Sequence, residues 1–80
     1  MIYFVYIIQS KKDGSKYTGV TNNILRRMKE HNSGRAQYSA TKMPFVLKWY
    51  CGFSDRTKAY DFEKYLKSHS GIAFRNKRLL

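Results

Sequence analysis

Eighty residues fill one hydrophobic core and not two, because a chain this short buries only about 60% of its unfolded surface. Sixteen Lys and Arg against five Asp and Glu leave a net charge of +11, an excess that repels itself in a compact state and draws in polyanions. The basic residues are scattered, and no segment sets a cationic face against a strongly apolar one. A membrane surface is therefore disfavoured as partner, and nucleic acid is expected.

Residues 2–8, "IYFVYII", are apolar or aromatic throughout and predict a strand covered on both faces. The run is too short to span a bilayer and lacks a basic leader or a small-residue cleavage site, so a cytoplasmic setting is expected. Asp13-Gly14 supplies a hairpin turn, after which "KYTGVT" returns as a shorter antiparallel strand. Asn22 or Asn23 can cap a helix over "ILRRMKEHN", and Gly34 can end it. "RAQYSATKMP" is a polar basic loop, with Pro44 at the entry to a third strand, "FVLKWYCGF". Cys51 has no second cysteine to pair with, which leaves a small buried thiol and excludes an internal disulfide or a cysteine metal site. Ser54 or Asp55 can cap a second helix, "RTKAYDFEKYLKSH"; Ser70-Gly71 breaks it, and "IAFRNKRLL" forms a basic final helix. The order is ββαβαα. It predicts a single α+β domain over residues 1–80, with a small three-stranded, mainly antiparallel sheet flanked by helices.

Helical phase places ionisable side chains where core is expected. In the first helix Ile24, Leu25 and Met28 define the buried direction, and Arg26, Lys29 and Glu30 point away from it. Arg27 and His31 fall between, one turn apart on the same side, with His31 close to the apolar stripe. In the second helix Ala59, Phe62 and Leu66 form the inner stripe and Lys58, Asp61 and Lys64 face outward. Glu63 lies beside that stripe, where a carboxylate is costly unless it meets a cation, a metal or a wet cleft. Structural readings stay open at this point. Glu63 can pair with Arg27, His31 can satisfy carbonyls at a helix end, and Tyr6 and Tyr17 can be core aromatics with hydroxyls at the rim.

The ordered set Phe4-Val5-Tyr6, Tyr17-Thr18-Gly19, Arg27, His31 and a later helical Glu63 resembles the GIY-YIG nuclease superfamily, in particular its small stand-alone bacterial members. That resemblance implies a metal-dependent nuclease that hydrolyses phosphodiester bonds, with DNA favoured over RNA and a role in repair or recombination. It implies that Tyr6, Tyr17, Arg27, His31 and Glu63 share one cleft, with Glu63 holding Mg²⁺ or Mn²⁺. Arg27 would steady the phosphate, Tyr6 would take the proton of the attacking water, Tyr17 would orient water or phosphate, and His31 would assist or anchor Tyr6. A free phenol is a poor base at neutral pH, so nearby cations are part of that scheme. Gly19 would let the phosphate backbone come close. Three features depart from the family pattern: the first triplet lacks its glycine, threonine replaces isoleucine in the second, and Val20 stands where the repair-nuclease branch carries lysine. Asn76 is the candidate for a late active-site asparagine.

Around this cleft Arg35 and Lys42 on the loop, with Arg75, Lys77 and Arg78 at the C-terminus, are expected to hold phosphates without reading sequence. Tyr38 is a candidate for stacking on an unpaired base. So small a domain has few elements left to read base edges, which predicts low intrinsic specificity and leaves targeting to DNA structure or a protein partner. The alternative is a nucleic-acid-binding module on the same fold without turnover.

Overall fold

The apolar run at the N-terminus becomes the middle strand of the sheet. In a computed structural model, which describes residues 1–34 and 40–80, β1 (Tyr3–Ser10) lies between β2 (Lys16–Thr21) and β3 (Phe45–Phe53), antiparallel to both. Helix α1 (Ile24–Asn32) follows β2. After β3 come α2 (Arg56–Lys67), α3 (His69–Phe74) and a wider terminal turn over Arg75–Leu79. A single 3-10 turn, Ala40–Lys42, precedes β3. The ββαβαα order and the α+β class stand as expected. Among the described residues no helix is long and apolar enough to cross a membrane.

The two faces of β1 feed two cores. Val5 and Ile7 pack with Ala59 and Leu66 of α2, whereas Tyr6 and Ile8 pack with Phe45 and Met28 of α1. All four strand residues are buried, which explains the unbroken apolar run. Along β3 the pairing slips between Ile7 and Ile8, so that Trp49 and Leu47 face them and Lys48 is the extra residue. Such a bulge switches the face on which alternate residues lie. Phe45 therefore joins the α1 side while Trp49, Cys51 and Phe53 join the α2 side.

Side-chain caps fix where the helices begin. Asn23, not Asn22, accepts from the Arg26 amide at 3.0 Å. Asp55, not Ser54, accepts from Thr57 and Lys58 amides at 2.8 and 3.2 Å. Asn32 clips the end of α1 to the start of β3, accepting from the Phe45 amide at 2.7 Å and donating to its carbonyl at 3.1 Å. Gly34 has φ +81° just beyond, as a helix terminator should.

Two expectations are corrected. Leu25 is 78% exposed; the inward stripe of α1 runs through half-buried Ile24 and Met28 to buried His31, at i, i+4 and i+7. The break after α2 falls at Ser68 rather than at Ser70-Gly71. Ser68 Oγ donates to the Tyr65 carbonyl at 2.6 Å and accepts from the Gly71 amide at 3.1 Å, closing one helix and capping the next. Gly71 is buried inside α3, where a Cβ would stand 1.7 Å from the Tyr65 carbonyl oxygen.

Candidate active site

Tyr6 and Gly19 are cross-strand partners, as are Ile8 and Tyr17. The Tyr6 ring lies across Gly19: a Cβ there would come within 2.5 Å of the phenol oxygen and 2.7 Å of Cζ. Glycine is required at 19 to seat this phenol, a closer reason than the approach of a phosphate. Thr21 Oγ1 accepts from the Asn23 amide at 3.1 Å and donates to its carbonyl at 3.3 Å. That link turns the chain from β2 straight into α1 and brings Arg27 and His31 over Tyr6.

The phenol oxygen is held from two sides. His31 Nε2 is 3.0 Å away, and Arg27 Nε donates to the same oxygen at 3.4 Å. His31 is buried, its ring packed edge-on to Tyr6 and Phe45. Burial, then the charge of Arg27, pushes its pKa down, against an opposing pull from Glu30. The neutral imidazole is thus favoured. Arg27 Nη1 also donates to Glu30 Oε1 at 2.9 Å, and the Glu30 and Tyr6 contacts together raise the pKa of a guanidinium that is charged in any case.

Tyr6, Tyr17, Gly19, Arg27, His31 and Glu63 all line one cavity of about 680 Å³. Because α1 and α2 cover opposite faces, this hollow wraps the outer edge of β2, with Glu63 on the far wall. The anticipated pairing of Glu63 with Arg27 does not hold. Arg27 takes Glu30, which is not simply solvated, and Glu63 takes Lys67 of its own helix at 2.9 Å.

A family model described as the GIY-YIG catalytic domain matches residues 2–77. The chain belongs to the GIY-YIG family. A UPF0213 protein of Nitratidesulfovibrio vulgaris is 40% identical over 67 residues, covering 82% of this chain and 60% of that protein. One of Bacillus licheniformis is 39% identical over 69 residues, covering 85% and 70%. The chain thus spans about 60–70% of the length of these relatives. Among solved structures, the solution NMR structure of a UPF0213 protein from Bacillus halodurans superposes with a TM-score of 0.60 at 34% identity, over 99% of this chain and 87% of that one.

Other expected residues of this GIY-YIG domain divide unevenly. Arg75 lines the cavity, and its Nε donates to Asn76 Oδ1 at 3.3 Å. Asn76, Lys77 and Arg78 are exposed and are not part of the cavity wall. Lys42 is committed to Asp13, whose carboxyl it holds well below the usual carboxylate range. Arg35 and Tyr38 lie outside the described residues.

The cavity also contains residues that the sequence reading passed over: Lys16, Thr18, Tyr60 and Lys67. The signal for two of them was available, since Tyr60, Glu63 and Lys67 are spaced i, i+3, i+7 and must share one helix stripe. Thr18 Oγ1 is buried with no hydrogen-bond partner among the described residues.

Proposed function

We propose that this domain is a divalent-metal-dependent nuclease acting on DNA with low intrinsic sequence specificity. The observation that carries the reading is the phenol of Tyr6, held by His31 Nε2 and Arg27 Nε, in a hollow whose opposite wall bears Glu63. Among the described residues no three of His, Cys, Asp and Glu gather into a metal-holding group. A single hard carboxylate nonetheless fits Mg²⁺ or Mn²⁺, which keep several waters and complete their shell with substrate phosphate oxygens. Glu63 would hold the ion, which when bound neutralises the scissile phosphate and the leaving oxygen. Lys67 must first release Glu63; the lysine side chain is 56% exposed but the glutamate only 18%, so the pair is more sheltered than the fully exposed pairs that are worth about 0–1 kcal/mol.

The chain's own groups then divide the proton and charge work. Neutral His31 accepts the phenol proton at Nε2, and Tyr6 Oη takes the proton of the attacking water. Arg27, with its Nε on that oxygen, stabilises the charge left there and offers its remaining donors to the phosphate. Tyr17, braced edge-on against Phe45 at 5.5 Å, orients the water or the phosphate.

The test is cleavage of labelled single-stranded, duplex and branched DNA with Mg²⁺, Mn²⁺ or EDTA. Glu63→Gln is expected to abolish cleavage and keep salt-sensitive binding, and Tyr6→Phe to slow cleavage by about 10²–10⁴-fold. Cleavage that survives EDTA and Glu63→Gln would refute the reading. The Glu63–Lys67 pair favours a second reading, a binding module without turnover; binding with no cleavage of any substrate would select it.

A further inference from the structure

Val20, Arg27 and Tyr60 are shared with a second hollow of about 450 Å³ on the other side of Arg27. Three guanidiniums line it, those of Arg26, Arg27 and Arg56, against the single carboxylate of Glu30. Each is held by a different neighbour. Arg26 Nη2 donates to Asn22 Oδ1 at 3.1 Å, Arg27 donates to Glu30, and Arg56 lies over the Tyr60 ring, 5.5 Å from its centroid. A guanidinium fixed before binding loses less freedom when it meets an anion, and its planar fork matches phosphate oxygens. Tyr60 itself is 45% exposed at the boundary between the two hollows.

A polynucleotide whose scissile phosphate sits at Arg27 must carry its next phosphate away across one rim of the reaction cavity. The rim at Tyr60 opens directly onto this excess of positive charge, with an aromatic ring at the crossing point. We propose that the second hollow is a flanking-nucleotide subsite. Arg26 and Arg56 take the phosphodiester adjacent to the scissile one, and Tyr60 both docks Arg56 and supports the adjoining sugar or base. The assignment rests on the phosphodiester reading of the neighbouring cavity.

The experiment is anisotropy of fluorescein-labelled DNA, single-stranded and duplex, in EDTA over a salt series. It compares wild type, Arg56→Ala, Arg56→Gln, Tyr60→Leu and Lys48→Ala. Lys48 is exposed on β3, at the opposite edge of the sheet, and lines neither hollow. Removing one phosphate contact is expected to make the slope of log affinity against log salt shallower by about 0.7 for single strands and 0.9 for duplex. Both Arg56 variants are expected to do so, Tyr60→Leu to weaken binding, and Lys48→Ala to keep the wild-type slope. Equal slopes for Arg56→Gln and Lys48→Ala, at unchanged melting temperature, would overturn the subsite even if the wild type cleaves. A persistent slope difference in a protein that cleaves nothing would support the subsite and remove the hydrolytic reading instead.

Discussion

A tyrosine on the middle strand of a sheet is ordinary core material until its oxygen is examined. Here that oxygen meets an imidazole nitrogen at 3.0 Å and a guanidinium nitrogen at 3.4 Å, so a change of the χ1 rotamer would lose both. His31 carries a consequence for pH. Its folded pKa lies below the ordinary 6.5, because burial and Arg27 oppose the imidazolium. The unfolded chain then binds its proton more readily than the folded one, so stability is full above pH 6.5 and falls as pH drops toward the folded pKa. Urea unfolding across that window is expected to show stability falling as pH drops, a dependence that His31→Gln flattens. The shifts at Glu30 and Asp13 act in a separate range, below their ordinary values of 4.5 and 3.8. An unchanged slope in His31→Gln would remove the buried neutral imidazole. Helical spacing made Arg27 and His31 legible as a pair one turn apart. The same spacing offers their neighbour Glu30 and, on α2, Lys67 beside Glu63, as i,i+3 and i,i+4 pairs. What it could not supply is that α1 and α2 lie on opposite faces, which leaves Arg27 and Glu63 with these local partners instead of each other.

At the scale of elements, the junction of α2 and α3 is the least forgiving joint. Ser68 serves as the end of one helix and the cap of the next, and that dual role is invisible to composition, where a Ser-Gly dipeptide is the stronger breaker signal. Gly71 escapes its usual role as a terminator because the first turn of α3 lies directly on the Tyr65 carbonyl. Gly71→Ala must therefore push α3 away from α2, and overpacking of this kind costs about 1–3 kcal/mol. Since Ile72 and Arg75 line the cavity that also holds Tyr6 and Glu63, the same shift is expected to weaken nucleic-acid binding under the proposed function. Thermal melting is expected to drop by roughly 4–8 °C per kcal/mol in a chain of this size. A variant that melts like the wild type would show that the two helices can part without cost. The burial of β1 on both faces, by contrast, was readable in advance, because a strand covered on both faces carries an unbroken apolar run.

For the whole molecule, charge is the dominant long-range term. Three ion pairs join described residues, too few to offset sixteen cations against five anions. The molecule measures 29 × 29 × 17 Å, while the Debye length is about 30 Å at 0.01 M salt and about 8 Å at 0.15 M. At the lower ionic strength every cation therefore feels every other; at the higher, repulsion is confined to near neighbours. Raising NaCl between these values is expected to increase the melting temperature by a few degrees. Over the same titration affinity for DNA should fall steeply, because each phosphate contact releases a counterion. Opposite signs in one salt series identify a surface whose positive charge is an internal cost retained for binding a polyanion. A melting temperature that fell with salt would instead mean that attractive pairs dominate the fold, and the excess of lysine and arginine would need another explanation.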